Sequence, residues 1–330
     1  MFDIVTFGSA TQDIFARSKE FKFIKCDDFL TKKALAVEAG SKIYLEDLVF
    51  ASGGGGTNTA ATFVSQGLDA AYVGLLGGDS AGREILKELT DLGINCKFIR
   101  ITDKVRTPVS IILSAEGRER TILVYEGASH FLTKDDIPWD SIKDTKWFYV
   151  SGLAGESSKV FELIINFAKE NNIKLAVNPG YKQLTQDLQI LKHLLNKIDI
   201  LIVNQQEASI ITKVDYSKEE KLFKVFDELV PGIAVMTKGP DGVSVSNGTY
   251  IYSAGIPKSK YVDRTGSGDA FSAGFVSAII NGHDIEEAIQ LGTANATAVV
   301  QTMGAKNGIL KKDEWGEWER VKIKKSPINN

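Results

Sequence analysis

Six short apolar runs, each ending in glycine or a polar residue, alternate with stretches of helical periodicity, and this alternation limits the fold more than any other feature of the chain. The runs are FDIVTF, AAYVGLL, KWFYVSGL, IKLAVN, DILIVN and GIAVMTKG. Amphipathic segments lie between them at 80–92, 157–170 and 186–197. Strand–helix–strand repetition predicts an α/β fold: a mostly parallel sheet with helices on both faces. Ligands of such sheets gather at the carboxyl ends of the strands, so the polar residues just after each run matter most.

Two regions interrupt the alternation. The segment 17–51 holds mixed strand-like pieces, including SKIYLEDLVFAS, and TPVSIILSAEGRERTILVYEG alternates about the turn-forming AEGRE. Both fit a small β-sheet lid, formed by about 14–51 and 107–127, on a single domain spanning 1–330. A further hairpin, GVSVSNGTYIYS, carries the Asn247-Gly248 turn signal and belongs with the main sheet. The last two helices, 268–280 and 284–302, are rich in Ala, Ser and Gly, which permits close packing.

Composition removes several function classes. Lys and Arg total 39 against 42 Asp and Glu, a net charge of −3, which argues against a nucleic-acid partner. Cys26 and Cys96 stand alone, without the spacing of a zinc site or a disulfide framework. The opening run has no basic segment and no long apolar stretch follows, so neither a secretory signal nor a membrane span is expected. The expected compartment is the cytoplasm, where thiols stay reduced.

Three glycine-bearing stretches carry the chemistry. SGGGGTNTAATF opens a helix but lacks the Lys-Ser/Thr pair of a P-loop and the third glycine of a dinucleotide fingerprint. It is either a flexible turn or a place where backbone approaches a ligand, with Asn58 at the helix start. In YVDRTGSGDAF, Gly266, Ser267 and Gly268 precede a helix, so their N–H groups and the helix dipole would converge on an anion. Asp269 in the first turn is then either an ordinary helix-start carboxylate or a general base beside an anion hole. MTKGPDGV, with Thr237 and Gly239, is alone a turn signal. NQQE, with Asn204 and Glu207, caps a helix or holds a hydrated magnesium ion.

Taken in series, these motifs resemble the ribokinase-like (PfkB) family of carbohydrate and nucleoside kinases. GSATQD matches the family's opening strand–loop, and GGGGTN its first signature. VGLLGGDSAGREILKELTDLGI follows with Gly77, Asp79 and Gly82. NQQE, TKGPDG and DRTGSGDAFSAGF then match in order, so the resemblance runs from Gly8 to about Ala305. It implies a ribokinase-like fold, ATP and Mg2+ as nucleotide and cofactor, and a small β-sheet lid. It also implies Asp269 as the base, with Gly266, Ser267 and Gly268 as the anion hole. Asp13, Gly54 and Asn58 would hold the acceptor, and Asn204, Thr237, Gly239 and Gly304 the nucleotide. Glu207 would organise magnesium through water. Asp263 and Thr265 resemble the site where many members bind K+. Members often pair as homodimers through the lid.

Reaction type is more legible than acceptor. NPGYKQL lacks the Asp-x-Asn-x-Arg pattern of fructokinase-like members, which leans towards ribokinase or nucleoside kinase branches. Arg118 and Arg120 could bind a phosphorylated sugar, although hairpin charges are ordinarily solvated. Phe15, Phe131 or Tyr125 could stack on a base, or simply pack. The expected activity is transfer of the γ-phosphate of ATP to a primary hydroxyl of a pentose or related sugar, with a nucleoside kinase as the alternative. A non-catalytic sugar- or nucleotide-binding regulator is a more distant reading. A dinucleotide-dependent oxidoreductase is disfavoured because FGSATQD, after the first strand, lacks the fingerprint.

Overall fold

The computed structural model describes residues 1–29, 31–115 and 120–328. The first apolar run forms β1 (Ile4–Phe7). The chain then leaves the main sheet for β2 (Thr11–Arg17), a small hairpin of β3 (Lys22–Lys25) and β4 (Lys33–Ala36), and β5 (Asp47–Gly53). Helix Gly55–Ser65 leads back to β6 (Ala70–Gly77), and helix Ser80–Asp91 to β7 (Ile99–Thr102). A second excursion makes β8 (Val109–Ser114) and β9 (Arg120–Tyr125), an antiparallel pair. The tips of AEGRE, with Arg118, lie outside the described residues. The remaining runs form β10 (Trp147–Val150), β11 (Lys174–Val177), β12 (Ile200–Asn204) and β13 (Ile233–Thr237). After β14 (Val243–Ser246) and β15 (Tyr250–Ala254) come helices Ser267–Ile280 and Ile285–Val299, and finally β16 (Ile323–Pro327).

Among the described residues, ten strands join in the order β16-β15-β14-β13-β12-β11-β10-β1-β6-β7. Pairing is parallel from β13 through to β7 and antiparallel from β13 to β16. The central strands are buried on both sides, as a sheet covered on both faces requires. Alternate side chains feed two separate cores: Val5, Phe7, Phe148 and Val150 on one face, Ile4 and Tyr149 on the other.

The two excursions meet in a second sheet, ordered β5-β2-β8-β9. Asp79 fastens its root. The carboxylate caps helix Ser80–Asp91 through the Gly82 N–H (2.9 Å) and also accepts from the N–H and hydroxyl of Thr107 (3.0 and 2.7 Å), just before β8. Two strands escape sequence reading. β7 is a short IRIT segment that pairs only at the sheet edge. β16 comes from the mildly basic stretch VKIKKSP. Its lysines suit an exposed edge, and the Lys325 ammonium lies over the rings of Tyr250 and Tyr252 at 4.4 and 5.0 Å.

Candidate active site

The main sheet reverses direction of growth between β1 and β10: from β1 the chain proceeds to β6 on one side, and later to β10 on the other. A crevice opens at the carboxyl ends of strands at such a switch point. Here it is roofed by the glycine-rich start of helix Gly55–Ser65. Thr6 donates to the Gly56 carbonyl (3.0 Å), the Gly56 N–H donates to the Ser9 carbonyl (3.2 Å), and the Tyr72 hydroxyl donates to the Gly8 carbonyl (2.9 Å). The loop is therefore fixed and closely packed, not a loose turn. A Cβ at Gly53 would strike the Asp13 carboxylate, and one at Gly54, where φ is 97°, would strike the Ser9 carbonyl.

Helix Ser267–Ile280 points its start at the same crevice. Gly266 caps it with φ of 78°, and any side chain there would collide with Ala305. The Ser267 N–H is taken by the Arg264 carbonyl (3.2 Å) and that of Ala270 by the Gly266 carbonyl (2.8 Å). The N–H groups of Gly268 and Asp269 are thus the ones a helix start leaves for a ligand. Ser267 contributes position more than a donor, because its hydroxyl also turns back to Arg264.

Asp269 sits beside these amides, its Oδ2 accepting from Asn58 Nδ2 at 2.8 Å. Desolvation raises its pKa above the ordinary carboxylate value, while the Asn58 amide and the nearby Lys306 cation pull it down. Lys306, which sequence reading passed over, donates to Asn58 Oδ1 (3.0 Å) and to Ser52 Oγ (2.7 Å). A lysine in a turn gives no periodic signal of pointing inward.

Asp13, at 6% exposure, is pushed up to about 6 by burial, against the lowering effects of the Ser110 hydroxyl and the Lys306 and Arg120 cations. Asp13, Gly54, Asn58, Thr265, Gly266 and Asp269 share one cleft of about 250 Å³, to which Ser110, Ile112 and Ile122 add the floor of the second sheet. The acceptor residues expected from sequence and the expected base therefore converge.

Asp263 and Thr265 have a partner that the sequence did not foretell. Arg120 Nη1, at the start of β9, donates to Asp263 Oδ1 (2.8 Å) and Thr265 Oγ1 (2.6 Å), both partly buried. Arg120 is thus tied to the loop before helix Ser267–Ile280, not a solvated hairpin charge. The two side chains expected at a K+ site are already served by a guanidinium, and only Asp263 Oδ2 stays buried without a partner.

Further along the same sheet edge, Asn204 and Glu207 form a reciprocal capping box: Glu207 N–H to Asn204 Oδ1 (3.0 Å) and Asn204 N–H to Glu207 Oε2 (2.8 Å). Burial raises the Glu207 pKa. Its other oxygen can still face a hydrated cation, whose charge would oppose that rise. Among the described residues no group of three or more His, Cys, Asp or Glu could hold a metal. A magnesium ion here would draw most ligands from water and phosphate, which suits that ion. Thr237 ends β13, and Gly239 (φ 56°) starts a short 3-10 turn with open space before it. Gly304 packs near Ala51 of β5. Neither Asn204, Glu207, Thr237, Gly239 nor Gly304 lines the acceptor cleft.

Comparison with known proteins decides the family. The model described as pfkB family carbohydrate kinase matches residues 1–312. The chain belongs to the PfkB family of carbohydrate kinases. Its relatives include a ribokinase of Haemophilus influenzae, 28% identical over 279 residues that cover 83% of this chain and 89% of that one. An adenosine kinase of Saccharomyces cerevisiae is 28% identical over 273 residues, 77% and 78% of the two chains. A structure of Arabidopsis thaliana ribokinase complexed with ribose and ATP matches with a TM-score of 0.77 over 94% of this chain and 96% of that one, at 22% identity, which speaks to the ribokinase-like fold. The kinase is accordingly a phosphotransferase, and ATP binding follows from its family. Among its described residues no helix is long and apolar enough to cross a membrane.

Proposed function

We propose that this kinase transfers the γ-phosphate of ATP to a primary hydroxyl of a pentose or related sugar, in the cytoplasm. The lining of the acceptor cleft carries this reading. Among the described residues it is built from carboxylate, amide and hydroxyl groups with the Arg120 guanidinium and two isoleucines, and has no aromatic face on which a base could stack. Phe15 is buried beside Ile112 without lining the cleft, and Phe131 and Tyr125 are half exposed and do not line it either. The volume lies just below the ~300–1,000 Å³ of ordinary ligand pockets, which suits a monosaccharide. Both nearby cations already have partners, Arg120 in Asp263 and Lys306 in Asn58 and Ser52, which favours a neutral acceptor over a phosphorylated one.

On this reading Asp13, Gly54 and Asn58 hold the sugar hydroxyls, and Asp269 takes the proton of the attacking one. The Gly266–Ser267–Gly268 turn sets the helix start so that the free N–H groups of Gly268 and Asp269 aim at the oxygens of the transferring phosphoryl group, where negative charge accumulates. Asn204, Thr237, Gly239 and Gly304 border the nucleotide, and Glu207 would hold magnesium through water. Magnesium bound there would neutralise charge on the phosphate oxygens. The second sheet acts as a lid that excludes water, so the phosphoryl group meets the sugar and not solvent.

A nucleoside acceptor is the second reading, and the adenosine kinase relative favours it. The deciding experiment measures ADP release from Mg-ATP over ribose, fructose, ketodeoxygluconate, fructose 6-phosphate, adenosine, inosine and cytidine. Turnover confined to free sugars supports the proposal. Turnover on nucleosides would replace it with the second reading, and turnover on fructose 6-phosphate alone would overturn the argument from paired cations.

A further inference from the structure

We propose that Lys306 is a positioning residue for phosphoryl transfer: by donating to Asn58 Oδ1 it fixes which end of that amide faces Asp269, and so keeps the Asp269 carboxylate ionised and aimed into the cleft. The proposal rests on Asp269 being the base. Its argument is one of donors and acceptors. The two ends of an asparagine amide have nearly the same shape, and the surrounding network decides which is oxygen and which nitrogen. A lysine ammonium has donors and no acceptor. The end of Asn58 that meets Lys306 Nζ at 3.0 Å is therefore the oxygen, and the end that meets Asp269 Oδ2 at 2.8 Å is the NH2 group. An NH2 group donates more strongly to a carboxylate oxygen than to that of a neutral acid, so this orientation favours the ionised form of Asp269. Reverse the amide, and its oxygen would face Asp269 and call for a protonated, useless base.

The geometry holds this chain of bonds in place. Lys306 follows Gly304 and Ala305, which pack against Ala51 and Gly266 respectively. Its ammonium also donates to Ser52 Oγ at 2.7 Å, the last-but-one residue of β5. The lid strand, the glycine-loop helix and the base are thereby tied through one cation. The charged and titratable groups that face it are Asp13 on β2, Glu88 on helix Ser80–Asp91 and Asp269 on helix Ser267–Ile280; Asp269 also faces Tyr149 of β10, and Asp13 also faces Arg120 and Asp263. Desolvation lowers the Lys306 pKa to about 8 despite Glu88, Asp13 and Asp269, so its donor-only state is lost within the working range.

The test is the pH dependence of kcat for the wild type, Lys306→Met, Lys306→Gln, Lys306→Arg and Asp269→Asn, each checked for folding by its thermal melt. Wild-type kcat should fall in acid, as Asp269 protonates, and again above about 8, as Lys306 loses its proton. Lys306→Met removes a cation that lowers the Asp269 pKa, so the acid limb should move to higher pH, with kcat falling in mildly acid buffer and recovering in part at higher pH. Lys306→Arg keeps a donor-only cation, so it should restore the acid limb and abolish the alkaline one. Should Lys306→Met not fold, Lys306→Gln, which can present either end, replaces it and should show the same shift. Loss by an equal factor at every pH, or an alkaline limb that survives in Lys306→Arg, would overturn the proposal and leave Lys306 a packing residue. Near-wild-type turnover in Asp269→Asn would instead overturn the base assignment itself.

Discussion

At Asp13 and Asp269 the fold holds carboxylates partly out of water, and each charge has a consequence that can be measured. Asp13 has a pKa of about 6 in place of 3.8, because burial disfavours its ion. A raised carboxylate pKa means that the folded state binds the proton more tightly than the unfolded chain. The stability this supplies is complete below about 3.8 and is lost as pH rises through about 6. Asp13→Asn cannot ionise, so at pH ~8 it should be more stable than the wild type by up to ~3 kcal/mol, the equivalent of about two pKa units. The gain should vanish in melts at pH ~4, and the acceptor KM should rise while the ATP KM holds. A variant no more stable at alkaline pH would show that the ion is better solvated by Ser110 and Lys306 than its burial implies. Asp269→Asn is expected to lower kcat by roughly 10²–10⁴-fold with ATP binding retained, the usual effect of losing a general base. Single-turnover kinetics with calorimetric ATP titration would check both halves.

Elements come together at this site through a few polar contacts between the lid and the sheet. Asp79 pins the root of β8 by accepting from Thr107, and Arg120 pins the start of β9 to the loop before helix Ser267–Ile280. The position of the second sheet and that of the start of helix Ser267–Ile280 are thereby coupled through one guanidinium. Because that group already serves Asp263 and Thr265, activity should be unchanged when potassium is replaced by choline at constant ionic strength. In Arg120→Ala the freed Asp263 carboxylate should make turnover depend on K+. Strong potassium activation of the unaltered kinase would mean that Arg120 leaves Asp263 during turnover. The capping box of Asn204 and Glu207 illustrates a different economy. The same side chains end β12 and start its helix, and the capping bonds engage one oxygen of the Glu207 carboxylate. A motif of this kind carries local folding information and site information at once.

For the molecule as a whole, the second sheet has one face over the cleft and another turned to solvent. Register places Asp13 beside Ser110 and Ile112 beside Ile122 on the inner face. It aligns Ile14 with Phe50 and Ile111, and Ile111 with Leu123, on the outer one. Leu48, Phe50, Leu123 and Tyr125 there are each about half exposed, which is unusual for neighbouring apolar side chains. Pairing of two lids would cover them. Sedimentation of the wild type should therefore report a dimer, and Phe50→Asp a monomer with a weakened acceptor KM. A monomeric wild type at micromolar concentration would remove the lid as a dimer surface.

Much of this organisation is legible in the sequence because its causes are local. Buried strands such as ILIVN, the Asn247-Gly248 hairpin, the Asn204–Glu207 box and the demand for glycine at positions 54 and 266 are set by patterning, capping and backbone sterics, which act over a few residues. The order of the motifs was enough to indicate the family and to bring Asp13, Asn58 and Asp269 forward as a set. Short edge strands were not legible: β7 and β16 owe their strand conformation to a neighbour, β6 or β15, and not to their own composition. Nor could any local pattern tell that Arg120 reaches across to Asp263, 143 residues away, or that Lys306 turns inward to Asn58, 248 residues away. A flexible charged side chain takes its partner from whatever the fold brings within a few ångströms. The sequence alone therefore determined the elements, their order and the candidate reacting groups. The tertiary structure decided which charges meet, and with that the surroundings of Asp269 and the partner of Asp263 and Thr265.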